Sequence, residues 1–92
     1  MKIVINSCFG GFGLSDFAVK ALGLKYAYSF IDRTDPALIH IIEEFGPKAC
    51  SGLCAELKVV EIPDNATDWE FDDYDGLENI ICVVDGKIHH IN

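Results

Sequence analysis

The stretch from Cys8 to Ser15, CFGGFGLS, carries the residue types of an anion-binding turn. Gly10, Gly11 and Gly13 follow a short apolar run and precede a predicted helix, where backbone N–H groups and a helix N-terminus can bind a phosphate. The spacing matches neither the G-x-G-x-x-G dinucleotide fingerprint nor a P-loop with its lysine. Glycines at this place also serve a tight turn. Both interpretations, a turn alone and a turn that binds a ligand, are therefore open.

Neighbouring side chains would complete such a ligand site. Phe9 and Phe12 could stack on a base, or could plug the end of the sheet, and Ser15 is a good N-cap for the helix. Arg33 could bind a phosphate or carboxylate through two N–H groups, although the aspartates of DRTDP are alternative partners. The candidate ligand-binding residues are Phe9, Gly10, Gly11, Phe12, Gly13, Ser15 and Arg33.

The cysteines and histidines do not form a convincing metal-binding pattern. Three residues separate Cys50 from Cys54, and the remaining pair, His89 and His90, is adjacent in a predicted strand. Neighbours on a strand point to opposite faces, so these histidines could not readily reach one ion. The sequence predicts no metal and no cofactor.

Catalysis ranks third, behind the two binding functions described below, because no group of residues in the sequence argues for it. Cys8 beside the glycines could act as a nucleophile only if folding brought His40 or a terminal histidine to it. His40 lies near Glu43 and Glu44 on the polar side of a predicted helix, which is typical of a solvent-exposed histidine. The sequence therefore favours a non-catalytic protein and leaves enzymatic activity undecided.

The charge balance argues against nucleic-acid binding. The chain has 7 lysines and arginines against 15 acidic residues, a net charge of −8, whereas binding to phosphates needs a basic face. The run DWEFDDYDGLE, residues 68–78, concentrates the acids without matching the order of a calcium loop. It is either a solvated strand face or an acidic surface for a basic protein partner.

Length and composition predict one intracellular domain. The 92 residues suffice for a single core, spanning residues 1–92, and half of them are hydrophobic. This apolar content favours burial against a second copy, hence a homo-oligomer. The N-terminus does not resemble a signal peptide, and no apolar run is long enough to span a membrane. We therefore expect a cytoplasmic protein with reduced cysteines.

Local patterns in the first half predict strands and helices in alternation. KIVIN reads as a strand that is apolar on both faces, and KYAYSFI, residues 25–31, as a second strand. The first helix is predicted from Asp16 to Leu22, with Gly23 ending it. Asp35 caps the second helix, Pro36 opens it and Gly46-Pro47 ends it. Its predicted core-facing stripe is Leu38, Ile41, Ile42 and Phe45.

The second half reads as strands. ELKVVEIP alternates, with Leu57 and Val59 on one face and Val60 on the other. DWEFDDYDG places Trp69 and Phe71 opposite the intervening acids, and ENIICVV-DG-KIHHI fits a hairpin with a type I′ turn. The order β-α-β-α-β-β-β-β predicts an α+β fold with two helices packed on a mainly antiparallel sheet.

Four blocks of the sequence resemble a family of small proteins encoded by tailed phages and prophages. The blocks are MKIVIN-CFGGFGLS, RTDPALI, LKVVEIP and WEFDDYDG, which together cover most of the chain up to Gly76. The last residues, LENIICVVDGKIHHIN, depart from the more charged ending of the family. The resemblance implies a viral protein acting in the bacterial cytoplasm, and it implies no mechanism.

Two functions from different classes follow. The first is a non-catalytic binder of a nucleotide-like small molecule, for example a host signalling nucleotide that the protein sequesters, with pockets at subunit contacts. The second is an acidic interaction module that binds or inhibits a host protein. Small phage proteins often act in these two ways, so both hypotheses rest partly on analogy with such proteins and not on these residues alone.

Overall fold

A computed structural model describes residues 1–27 and 29–92 and has an α+β fold, as the sequence predicts. The described residues form three helices and two antiparallel sheets, one of two strands (β1-β2) and one of three (β3-β4-β5). The elements are β1 Lys2–Asn6, α1 Asp16–Ala21, α2 Pro36–Phe45, α3 Pro47–Cys50, β2 Leu57–Glu61, β3 Ala66–Tyr74, β4 Leu77–Val84 and β5 Lys87–Ile91. Two separate sheets stand where the prediction has one.

The β1-β2 sheet lies between the helices and the three-stranded sheet, so its strands are apolar on both faces. Val4 and Leu57 belong to the cluster that α1, α2 and α3 cover. Ile3, Ile5 and Val60 belong to a second cluster, formed with the inner face of the three-stranded sheet. The predicted two-faced burial of KIVIN is confirmed, and it explains the run of β-branched residues.

Both longer helices begin at the predicted caps. The Ser15 hydroxyl accepts a hydrogen bond from the Ala18 N–H at 3.2 Å, and Asp35 accepts one from the Ala37 N–H at 2.8 Å. Pro36 occupies the first turn of α2, as predicted. The capping residues are therefore sufficient to predict where these two helices begin.

The prediction that Phe45 faces the core is wrong. Its side chain is 52% exposed and meets Phe17 of α1 edge-to-face, with ring centroids 5.0 Å apart. Beyond the predicted end of α2 at Gly46-Pro47, residues PKAC form the short helix α3, which brings Cys50 into the cluster beside Ile41. The core at this end of α2 is thereby filled, and Phe45 stays at its periphery.

The predicted strand KYAYSFI is also wrong for its described residues, and Tyr28 lies outside them. A turn replaces it: the Ser29 hydroxyl accepts a hydrogen bond from the Tyr26 N–H at 3.1 Å. Tyr26 is exposed and Phe30 is 92% exposed. Alternating aromatics indicate a strand only where one face is buried, and here both rings are exposed.

The three-stranded sheet is a pair of hairpins with Asp-Gly turns. Asp85 and Gly86 have positive φ angles of 52° and 75°, which confirms the predicted type I′ turn, and Asp75 and Gly76 repeat it between β3 and β4. Trp69 lies opposite the buried Cys82, so Trp69 and Phe71 share the inner face as predicted.

Candidate functional site

Arg33 is held in a two-pronged ion pair with Glu78 of β4. Its two terminal nitrogens donate to the two carboxylate oxygens at 2.6 Å and 2.9 Å, and the side chains are only 22% and 9% exposed. The Arg33 carbonyl accepts a hydrogen bond from the Val4 N–H at 2.9 Å, which fixes the backbone against β1. The aspartates of DRTDP are not its partners, because Asp32 binds Thr34 and Asp35 caps α2. Its actual partner lies 45 residues away, beyond the reach of spacing arguments.

Asn6 joins this ion pair to the surrounding loops. It is fully buried, and its backbone N–H donates to Glu78 Oε1 at 2.7 Å. Its side-chain amide donates to the carbonyls of Cys8 and Gly76 at 2.8 Å and 2.6 Å and accepts from the Glu56 N–H at 2.8 Å. A single buried amide thus connects both sheets and the glycine stretch.

Phe12 and Phe71 lie against the Arg33 guanidinium, and together with Trp69 they line a cleft of about 500 Å³, here called the aromatic cleft. The guanidinium carbon lies 3.8 Å from the centroid of the Phe12 ring and 5.2 Å from that of Phe71, both cation–π distances. Trp69 meets Phe71 edge-to-face at 5.8 Å. The lining residues are Phe12, Ser29, Phe30, Ile31, Asp32, Arg33, Trp69 and Phe71.

The glycines have a packing role beside any ligand role. The Gly10 N–H donates to the Asp75 carbonyl at 3.2 Å, so the glycine stretch rests on the β3–β4 turn. A Cβ on Gly10 would lie 2.6 Å from the Cys54 carbonyl, and one on Gly76 would collide with the Gly11 nitrogen. This close approach of two backbones explains why these positions need glycine.

Six of the seven predicted ligand residues are spread over three clefts, whereas Gly10 packs against Cys54. Phe12 and Arg33 share the aromatic cleft, while Gly11, Gly13 and Ser15 border a second cleft of about 390 Å³, here called the glycine cleft. The Ser15 hydroxyl is already engaged, since it donates to the Ala49 carbonyl at 2.6 Å.

Phe9 lines a third cleft of about 770 Å³ beside Cys8 and Leu53. Trp69 and Phe71 line the aromatic cleft but are not among the predicted ligand residues. Their alternation with acidic residues does indicate a strand with one aromatic face.

Asp32 lines the aromatic cleft, whereas Cys50 and His40 lie outside it. Hydrogen bonds from the backbone and the hydroxyl of Thr34 lower the pKa of Asp32. Burial raises the pKa of Cys50. His40 binds Glu44 one turn along α2 at 2.7 Å.

Within residues 1–27 and 29–92, no three histidine, cysteine or acidic side chains are placed to hold a metal ion. None of the described helices is both long enough and apolar enough to cross a membrane.

The aromatic cleft brings aromatic side chains, the Arg33 guanidinium and the Asp32 carboxylate around one space. No family model, curated protein or solved structure matches this chain with significance, so the site rests on its own geometry.

Proposed function

We propose that this chain is a non-catalytic binder of a nucleotide-like small molecule, whose planar ring lies in the aromatic cleft. The cleft itself carries the proposal: Phe12, Trp69 and Phe71 offer ring faces and edges around about 500 Å³ of space. Stacking on an aromatic side chain contributes about 1–3 kcal/mol per base and tolerates different bases. In the setting that the phage resemblance suggests, the ligand is a host signalling nucleotide.

Arg33 has a different role from the phosphate contact that its type suggests. Glu78 balances its charge through two hydrogen bonds, and the guanidinium lies against the Phe12 ring. Arg33 therefore orients the wall of the cleft, and a ligand phosphate gains little from it. We expect the ring to provide most of the binding free energy.

Fluorescence of Trp69 tests this proposal directly, because it is the only tryptophan of the chain and it lines the cleft. Titration with adenosine and with AMP is expected to change its emission at similar concentrations. Phe71→Ala is expected to weaken adenosine binding about tenfold, the loss of one ring contact. Phe45→Ala removes an exposed ring outside the cleft and serves as the matched control.

Three outcomes contradict the proposal in different ways. No response to either ligand removes the nucleotide ring from consideration. Equal weakening by Phe45→Ala removes the aromatic cleft as its location. Binding of AMP more than tenfold tighter than adenosine transfers the main contact to a phosphate, for which the glycine cleft is the candidate.

Native mass spectrometry of protein purified from bacteria without added ligand reports two further quantities. A mass of several subunits supports the homo-oligomer that the composition predicts. Added mass on each subunit identifies candidate ligands, and a bare monomer favours a protein partner instead.

The acidic interaction module is the second candidate, and the outer face of β3 favours it. Asp68, Glu70 and Asp72 are exposed there and alternate with the inner aromatics. Reversal of Glu70 and Asp72 to lysine is expected to abolish capture of a basic protein. Asp73 is unsuited to this test, since its carboxylate accepts the Gly76 N–H at 2.9 Å and supports the turn.

A further inference from the structure

Among the described residues, β3 forms an open edge of the three-stranded sheet. This strand has nine residues and pairs only with β4 among the described residues. An unpaired edge presents a row of backbone N–H and C=O groups that can template another strand. The charge along β3 and the direction of its backbone groups decide which strand fits.

The turn fixes which backbone groups face the open edge. A two-residue turn at Asp75-Gly76 makes Tyr74 and Leu77 a hydrogen-bonded pair. Hydrogen-bonded and non-hydrogen-bonded pairs alternate along an antiparallel ladder, so Phe71 and Asp73 direct their N–H and C=O groups away from β4. The Trp69 N–H follows the same pattern, because it donates to the Asp68 carboxylate at 2.9 Å.

The two faces of this edge differ in chemistry. On the outer face, Asp68, Glu70 and Asp72 are exposed carboxylates. On the inner face, Trp69 and Phe71 border the aromatic cleft, and the carboxylate of Asp73, at the turn end of that face, accepts the Gly76 N–H at 2.9 Å. A strand added to the edge would place alternate side chains beside the acids and beside the aromatics.

This pattern selects a basic strand and disfavours a second copy of the chain. Pairing of two β3 edges would bring the carboxylates of both copies together, and like charges opposite each other are destabilising. Lysine or arginine at the outer positions of an added strand would instead neutralise them. The net charge of −8 acts in the same direction.

We propose that the open edge of β3 binds an extended segment of a partner protein in which lysine or arginine alternates with apolar residues, adding it to the sheet as a further strand. The proposal rests on the second candidate function and deepens it. Backbone hydrogen bonds to Phe71 and Asp73 provide affinity, the outer acids select the basic positions, and Trp69 and Phe71 contact the apolar positions.

A short synthetic peptide of alternating lysine and valine is the probe. It is expected to bind the full chain, to bind more weakly as salt is raised, and to slow hydrogen exchange of the Phe71 and Asp73 amides. E70K/D72K is expected to weaken binding at least about tenfold. E44K/E56K makes the same charge change at exposed positions away from β3 and is expected to weaken it much less.

A peptide N-methylated at the amides that would face β3 separates this proposal from the acidic-module function. If it binds as tightly as the unmodified peptide, while E70K/D72K still weakens binding, the acidic surface stands and strand addition is overturned. If E70K/D72K and E44K/E56K act alike, both fail. Concentration-dependent dimerisation with slowed exchange at Phe71 identifies a second copy as the occupant and also overturns the proposal.

Discussion

Two neighbouring strands of one sheet carry carboxylates in opposite situations. Glu78 of β4 points inward, where it pairs with Arg33 and accepts the Asn6 N–H. Glu70 and Asp72 of β3 point outward into solvent. Glu78 therefore supports the fold, whereas the outer pair is available to a partner, and the face of the strand decides which role a carboxylate has.

The carboxylates of the two strands also differ in their cationic partners. Arg33 lines the aromatic cleft and forms its ion pair with Glu78 and not with the outer acids. Lys87 and His89 of β5 share the core-facing side of the sheet by register. Among described residues, no lysine or arginine forms an ion pair with the outer acids of β3. This imbalance is what a basic partner would correct.

Glu78→Ala is the largest expected perturbation. It leaves the Arg33 guanidinium without its ion pair and the Asn6 N–H without an acceptor in a mostly buried site, and breaking such a pair costs about 3–5 kcal/mol of unfolding free energy. Urea unfolding followed by Trp69 fluorescence measures it. Glu70→Ala is the control and is expected to change stability by no more than about 0.5 kcal/mol. Equal effects of the two variants would contradict the contrast between the faces.

Local signals explain how much of the fold the sequence predicts. Ser15, Asp35 and the Asp85-Gly86 turn act through hydrogen bonds or backbone angles within a few residues, so they can be read directly. The Arg33–Glu78 pair joins residues that only tertiary folding brings together. A single sequence contains no sign that Arg33 prefers Glu78 to the nearer Asp32.

The site is only partly readable for the same reason. Phe12 and Arg33 were both predicted and do lie together, yet the glycines between strand and helix border a different cleft. The wrong strand prediction at residues 25–31 arises because a pattern of aromatics does not reveal whether a layer exists to bury them. Here Phe30 remains exposed at the rim of the aromatic cleft.

A double-mutant cycle on Arg33 and Glu78 sharpens the comparison further. Arg33→Met alone leaves the Glu78 carboxylate without its ion-pair partner and is expected to lower the unfolding free energy by about 3 kcal/mol. Adding Glu78→Gln removes that charge and keeps an acceptor for the Asn6 N–H, so the double variant is expected to recover about 2 kcal/mol of it. Unfolding free energies of the four proteins give the coupling.

The same double variant tests the role of Arg33 in binding. A protein that folds without the cation and still binds adenosine supports Arg33 as a wall of the cleft. Loss of binding in a stable double variant would give Arg33 a direct ligand contact. Loss of stability equal to the sum of the single changes would show that the ion pair is not coupled in solution.

Asp32 offers the smallest effect and an intermediate case, a carboxylate at the rim of the cleft that is exposed yet hydrogen-bonded. The Thr34 N–H and hydroxyl, at 2.9 Å and 2.7 Å, lower its pKa below the ordinary 3.8. Its contribution to stability is therefore present above that value and lost as the pH falls through the lowered folded pKa. Thr34→Val removes the hydroxyl and keeps the backbone donor.

We expect the pKa of Asp32 in this variant to rise only part of the way towards its ordinary value, because the backbone hydrogen bond is the larger cause. Carboxyl-carbon NMR titration measures this, with Thr67→Val as a control on β3. A complete rise would mean that the Thr34 N–H also depends on the hydroxyl to hold the turn. An unchanged pKa would mean that the hydroxyl does not bind Asp32 in solution, and the rim carboxylate would then resemble the solvated acids of β3.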